Sequence, residues 1–538
     1  MDASNLLRNQ KAEGQQENYD RSQTKSEDRS GPKPNDRRQQ KPNIVWLVQD
    51  HVTWKHLRDT KGPKPQLAAY ERIASEGTVF DRAYSVHPLC TPARASMLSG
   101  VYPHKHGITR NDDRSLRQSF PDGMELFHEF VKAQGYRTGY FGKWHAGTGD
   151  AQQLGFEGFS LPGYGNPYTS QAYEDYLRRY SLPDPIVDLE WAAGNKPPAT
   201  ELNMKEVVRF AGQDPSGFQS ASSGYFKAPV EATEAFFLTQ LAADWIEEVA
   251  VEDSPFMLRV DIWGPHQPYL VADPFKNTIV AGDIPEYPNF SNTFADRPAY
   301  HQRDREEWRA RTGFTEWSEW QPILATAYEH FAQTDAALLK ILDTLDRLGI
   351  ANDTIIIYTA DHGDILASNG GLFDKDSMLT EETMAIPLVV KWPGVTKGGE
   401  KRNELVMNLD IVSTVLEMSG AEVPAYMDGL SLAGLLAGEQ QGEWREALMT
   451  EHYGHKDYYN IQRVLYYEHY KYVAHLDDSD ELYDLQSDPF ELTNRIADPV
   501  MHGQLIKMKH KLYESMDRYE DRLDSSLRLI EQKRLRGD

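Results

Sequence analysis

Cys90 is the only cysteine in a chain of 538 residues, and it opens the string Cys90-Thr91-Pro92-Ala93-Arg94-Ala95-Ser96-Met97-Leu98-Ser99-Gly100. A lone thiol can belong neither to an internal disulfide nor to a paired-cysteine zinc site, so it is either inert packing or a reactive group. Pro92 and the helix formers after it read as a helix start, which aims free backbone N–H groups and positive partial charge at Cys90. Arg94 adds a fixed cation. Together these residues describe an anion site built around one nucleophile.

Two apolar, β-branched runs end in acid–histidine pairs: residues 43–48 lead into Asp50-His51, and residues 354–360 lead into Asp361-His362. Both runs read as buried strands. Ligands of open α/β sheets gather beyond the carboxyl ends of the strands, where residues distant in sequence meet at one edge. Asp and His are both metal ligands, although each pair by itself could equally be a helix cap beside a loop histidine. A third strand-like stretch, residues 135–145, carries Lys143 and His145 two positions apart. They share a face if the strand runs through both. A lysine there can neutralise an anionic oxygen, and a histidine can transfer a proton. Residues 255–263 read as a fourth core strand leading into Pro265-His266-Gln267-Pro268, whose prolines hold His266 in an extended loop.

The pattern C-x-P-x-R-x-x-x-L-x-G from Cys90 to Gly100 resembles the signature of the type I, formylglycine-dependent sulfatases, and G-Y-x-T-x-x-x-G-K-W-H at residues 135–145 is similar to their second signature. The resemblance continues along nearly the whole chain after residue 41. It implies an alkaline phosphatase-like fold and conversion of Cys90 to formylglycine by a formylglycine-generating or sulfatase-maturating enzyme. It implies further that Asp50, Asp361 and His362 hold a divalent cation, usually calcium, beside the modified residue. Arg94, Lys143, His145 and Lys375 complete the implied catalytic set, with His266 as proton donor to the departing alcohol and Asn111 facing the substrate. His51 departs from the Asp or Gln common at its position. Either it coordinates, shifting preference toward a softer ion such as manganese, or it turns away. The implied reaction is hydrolysis of a sulfate monoester, whether of a small sulfated carbohydrate, an aryl alcohol or an alkyl alcohol. A phosphonate monoester or phosphodiester hydrolase on the same scaffold, and a non-catalytic anion-binding homologue, are the alternatives.

These residues need a scaffold, and composition bounds it. A formal net charge of -25 argues against a nucleic-acid partner, because the overall field repels phosphate backbones. An anionic ester must then be drawn by a local cationic pocket, which favours a small substrate. Residues 1–40 are polar and expected to be a disordered tail. They carry no apolar signal-like core, and no stretch is apolar enough to span a membrane, so a cytoplasmic protein without a membrane partner is expected. Residues 41–440 alternate strands and helices, with a periodic helix over 325–348 and another near 410–419. This predicts an α/β class, a large doubly wound α/β/α sandwich. Residues 441–538 read as a smaller α+β subdomain. Its short antiparallel sheet is expected from strands at 447–450, 464–467, 470–475 and 482–485, with a helix over 499–519 packed on it. Residues 160–232 and 270–322 are expected to be long loops over the pocket, anchored to the core by Trp308, Trp317 and Trp320.

Overall fold

Strand β1 (Asn43–Asp50) sends alternate side chains to two faces, and both faces are dry. Ile44, Trp46 and Val48 enter one apolar cluster while Val45 and Leu47 enter another. A strand with two buried faces needs helices on both sides of its sheet. A computed structural model describes residues 41–538 apart from 194–200, 213–221, 253, 376–377, 440–443, 456–457, 524–526 and 528–538. The expected N-terminal tail lies outside the described residues.

The large sheet runs in the order Glu400–Arg402, Thr78–Phe80, Leu388–Lys391, Thr354–Ala360, β1, Phe256–Pro265, Arg137–Lys143, Glu157–Leu161. We label Arg137–Lys143 β2, Phe256–Pro265 β3 and Thr354–Ala360 β4. Every pairing from β4 through β1, β3 and β2 to Glu157–Leu161 is parallel, so their carboxyl ends share one edge. One face is covered by α1 (Cys90–Ser99), Phe127–Ala133 and Asn408–Ser419. The other is covered by Glu234–Val249 and the C-terminal part of the long helix α3 (Trp317–Leu348), so the doubly wound architecture is as expected.

A separate antiparallel sheet, Ala447–His452, Gln462–Tyr467, Tyr470–His475 and Glu481–Asp484, packs on the helix His502–Arg518 through Met508, Leu512 and Met516. Among the described residues no helix is long and apolar enough to cross a membrane.

Three expectations need correction. Residues 160–232 are more regular than long loops. They hold the strands Ile186–Ala192, Glu201–Asn203 and Ser222–Lys227, which form a sheet with Tyr269–Val271. The helix α2 (Met204–Gly212) follows the second of these strands. Residues 270–322 include the helix Ala299–Thr312, whose mostly charged sequence hides a single buried face of Tyr300, His301, Asp304 and Trp308. Helix α3 begins at Trp317 rather than near residue 325, capped by Glu316 and Glu319 and with Pro322 inside it. Trp308, Trp317 and Trp320 are therefore core residues of helices, at 2%, 9% and 1% exposure.

Candidate active site

The register of the central strands assembles the site. Gln49 pairs with Ala360, so the next residues, Asp50 and Asp361, leave the sheet edge side by side. Cys90 is the first residue of α1, preceded by extended Leu89, and is 1% exposed. One ligand atom each from Asp50, Cys90, Asp361 and His362 lies within 4.8 Å of all the others. His362 Nε2 is 3.1 Å from Cys90 Sγ, while its Nδ1 is 2.8 Å from the Gly363 carbonyl, which takes the Nδ1–H and leaves Nε2 facing the cluster.

Cations surround these acids. Arg94 donates through Nε to Asp361 Oδ2 at 2.9 Å and through Nη1 to Asp261 Oδ2 at 2.6 Å and the Lys143 carbonyl at 3.2 Å. Lys143 Nζ donates to Asp50 Oδ2 and lies 4.4 Å from the centre of the Tyr164 ring. Burial opposes ionisation of Asp50, but Lys143 and Arg94 outweigh it and hold the carboxyl well below the usual range. Burial and the adjacent Asp50 push Asp361 the other way. Burial and Asp50 would also raise the Cys90 thiol, yet Lys143, Lys375 and His362 draw it down to about 5. The lone cysteine thus sits where an anion is favoured.

Lys375 Nζ lies 3.0 Å from Asp374 Oδ1 and 3.3 Å from His266 Nε2, and the Nδ1–H of His266 points at the Gln267 carbonyl at 2.7 Å. Burial and Lys375 press His266 down to about 4, so the ring is neutral at pH 7. β2 stops at Lys143 rather than running on, and His145 turns back with φ 40° to place its ring 5.4 Å from that of Tyr164. Asn111 braces the start of α1, accepting the Thr91 amide at 3.0 Å.

His51 is the departure. Its φ of 69° turns the chain sharply after β1. The ring leaves the Asp50 cluster and faces Asp364 and Asp374, with Nε2 at 3.5 and 3.4 Å from their carboxylates. The His51 amide donates to Asp361 Oδ1 at 3.1 Å, and its ring meets that of His362 edge-on at 5.0 Å.

Four acidic or basic groups escaped the reading of the sequence: Asp261, Arg259, Asp364 and Asp374. Asp261 and Arg259 lie on β3, fully buried and paired at 2.7 Å, and Arg259 also stacks 4.5 Å from the Trp46 ring. A charged i, i+2 pair inside an otherwise apolar strand was the available signal, since such charges are buried only when paired. Asp364 follows the second acid–histidine pair, and burial with the Asp374 charge pushes it up to about 8.

Comparison with known proteins agrees with this geometry. The Sulfatase family model matches residues 42–421, and that of the N-sulphoglucosamine sulphohydrolase C-terminal region matches residues 368–518. The chain is 26% identical over 487 residues to an ulvan-active sulfatase of Formosa agariphila, covering 89% of this chain and 82% of the relative. It is 25% identical to an N-acetylglucosamine-6-O-sulfatase of Bacteroides thetaiotaomicron, covering 89% and 87%. A phosphonate monoester hydrolase from Silicibacter pomeroyi superimposes with a TM-score of 0.71 at 19% identity, over 89% of this chain and 96% of that one. The two signatures and a family match spanning both strand-end pairs leave one assignment: this chain belongs to the sulfatase family and is a sulfuric ester hydrolase of the alkaline phosphatase-like superfamily.

Proposed function

We propose that the enzyme hydrolyses a sulfate monoester through a formylglycine at position 90 and a divalent cation beside it. The observation that carries this reading is the convergence of Asp50, Asp361 and His362 on residue 90 from two distant strand ends. The donor set suits a cation: two carboxylates, one imidazole nitrogen in the ligating tautomer, and a buried Asp50 Oδ1 without a hydrogen-bond partner among the described residues. When bound there, the cation supplies Lewis acidity to a sulfuryl oxygen and lowers the pKa of a neighbouring hydroxyl. The thiol marks the place of the converted side chain, whose geminal diol offers one hydroxyl to attack sulfur and a second to release sulfate and restore the aldehyde.

The chain's own residues do the rest. Lys143 and Lys375 offset the anionic charge of the sulfuryl group as charge moves to the leaving oxygen. Neutral His266 accepts at Nε2 from the Lys375 ammonium, which keeps its charge, and His266 is the group we assign to deliver a proton taken up from solvent to the departing alcohol. Arg94 has Nε and Nη1 engaged on Asp361, Asp261 and a carbonyl, and its Nη2 lies 3.7 Å from Asp50 Oδ1, so it holds the carboxylates in position. The named activities of the two relatives support a sulfated carbohydrate as one substrate class.

The test is to produce the protein with a maturating enzyme, identify residue 90 by mass spectrometry of the peptide 83–94, and compare 4-nitrophenyl sulfate with a phenyl phosphonate ester. Aldehyde at residue 90 and a higher kcat/KM for the sulfate are expected. Faster turnover of the phosphonate would reassign the enzyme, and full activity with only thiol at residue 90 would remove its nucleophile.

A further inference from the structure

Beside the catalytic cluster lies a cavity of about 360 Å³ that the mechanism does not use, and His266 and Tyr164 belong to its wall. This volume lies within the ~300–1,000 Å³ typical of small-molecule pockets. Tyr164 is the shared partition. Lys143 and the rings of His145 and His266 lie 4.4, 5.4 and 5.8 Å from it, while the same residue lines the cavity. Trp263 fixes that partition, donating from Nε1 to the carbonyls of Tyr164 and Gly165 at 2.9 and 3.1 Å.

Met204, Val207, Val208, Trp263 and Leu270 make the rest of the wall largely apolar, and no lysine or arginine lines it among the described residues. Its one carboxyl, Glu234, is pushed up to about 7 by burial and turned to the backbone, accepting the Trp263 amide at 2.7 Å. His330 is pressed to about 4 by burial and carries no charge at pH 7. A second sulfate or uronate of a polyanionic glycan would find no counter-charge here. An apolar group would lose water-exposed surface against the apolar side of the wall, away from Gln267 Oε1 and His330 Nδ1, the buried polar atoms of the lining that have no hydrogen-bond partner among the described residues.

We propose that this cavity is a leaving-group subsite for the alkyl or aryl portion of the substrate, with the sulfuryl group at residue 90 and the ester oxygen at His266. The inference rests on the sulfatase reading above, because it takes the His266 side of residue 90 as the side from which the alcohol departs. The position of His266 argues for this occupant, since it lines the cavity and also lies 3.3 Å from Lys375 beside residue 90. Apolar alcohols, not only sugars, are then substrates, and the size of the alcohol is read by α2 and Trp263.

The experiment uses enzyme whose formylglycine content has been measured, with primary alkyl sulfates from methyl to octyl and D-glucosamine 6-sulfate as the polar comparison. Burial of each further methylene should raise kcat/KM by up to about fourfold until the chain fills the cavity. Val208→Asp, at a half-buried wall position, should lower octyl sulfate kcat/KM at least tenfold while leaving methyl sulfate unchanged. Met204→Gln, which adds no charge, should give a smaller loss in the same direction. A flat chain-length profile with turnover of D-glucosamine 6-sulfate intact would overturn the subsite and leave the sulfatase reading standing. No turnover of any sulfate ester by formylglycine-bearing protein would overturn both.

Discussion

Asp261 touches no part of the proposed substrate site, yet the arrangement of Arg94 depends on it. Its carboxylate takes Arg259 at 2.7 and 2.8 Å and Arg94 at 2.6 Å, and all three side chains are 0% exposed. Asp261→Asn keeps the shape and removes the charge, leaving two buried guanidinium groups short of their counter-ion. Breaking a buried pair from one side costs about 3–5 kcal/mol, a large share of the ~5–15 kcal/mol by which proteins are stable. Arg259→Met alone should cost a similar amount, since it leaves the Asp261 carboxylate to Arg94 alone and loses the contact over Trp46. The double variant removes both charges together, so its loss should fall short of the sum by about 2–3 kcal/mol.

The assay is urea unfolding of the four proteins at fixed cation concentration, read as a double-mutant cycle, with kcat/KM as second readout. Activity should fall further in Asp261→Asn than in Arg259→Met, because only Asp261 contacts Arg94. An Asp261→Asn loss below about 1 kcal/mol, or additive single losses, would refute the idea that this buried triad is a coupled unit.

The single cysteine allows a clean titration of unconverted protein: thiolate ultraviolet absorbance should have its midpoint near pH 5, and a midpoint of about 8.5, the ordinary value, would contradict the electrostatics described for Cys90. The folded value lies below the unfolded one, so this group's stabilisation is complete above about pH 8.5 and is lost as pH falls through 5; thermal denaturation across that window should follow. Adding a divalent cation at about 100 times its Kd should stabilise the protein by roughly 2.7 kcal/mol, with calcium the expected ion because the His51 imidazole faces Asp364 and Asp374. The same addition to Asp361→Asn should give no shift. His266→Ala should slow alkyl sulfates about 10²–10⁴-fold and activated aryl sulfates much less, and equal losses would remove His266 from proton transfer.

Local chemistry was legible in the chain because it is written in short strings. Cys90, Pro92 and Arg94 mark a helix start, and the apolar runs ending at Asp50 and Asp361 mark strands whose bounds agree with the structure to within two residues. Polar segments were harder to read. The helix Ala299–Thr312 buries one narrow face under a charged sequence, and the strands between residues 186 and 227 are broken up by glycine and proline.

What no spacing could specify is which strand ends are neighbours. The pairing of Gln49 with Ala360 and of Gly142 with Asp261 decides that two carboxylates share one edge and that Arg94 has three acids to bind. The direction of His51 was equally beyond the sequence, since one left-handed residue at the end of β1 sends its ring to Asp364 and Asp374. The amino-acid order thus determined which functional groups exist and which local elements carry them. Strand register and a single backbone turn decided which of those groups meet, because contacts across a sheet are set by pairing hundreds of residues apart.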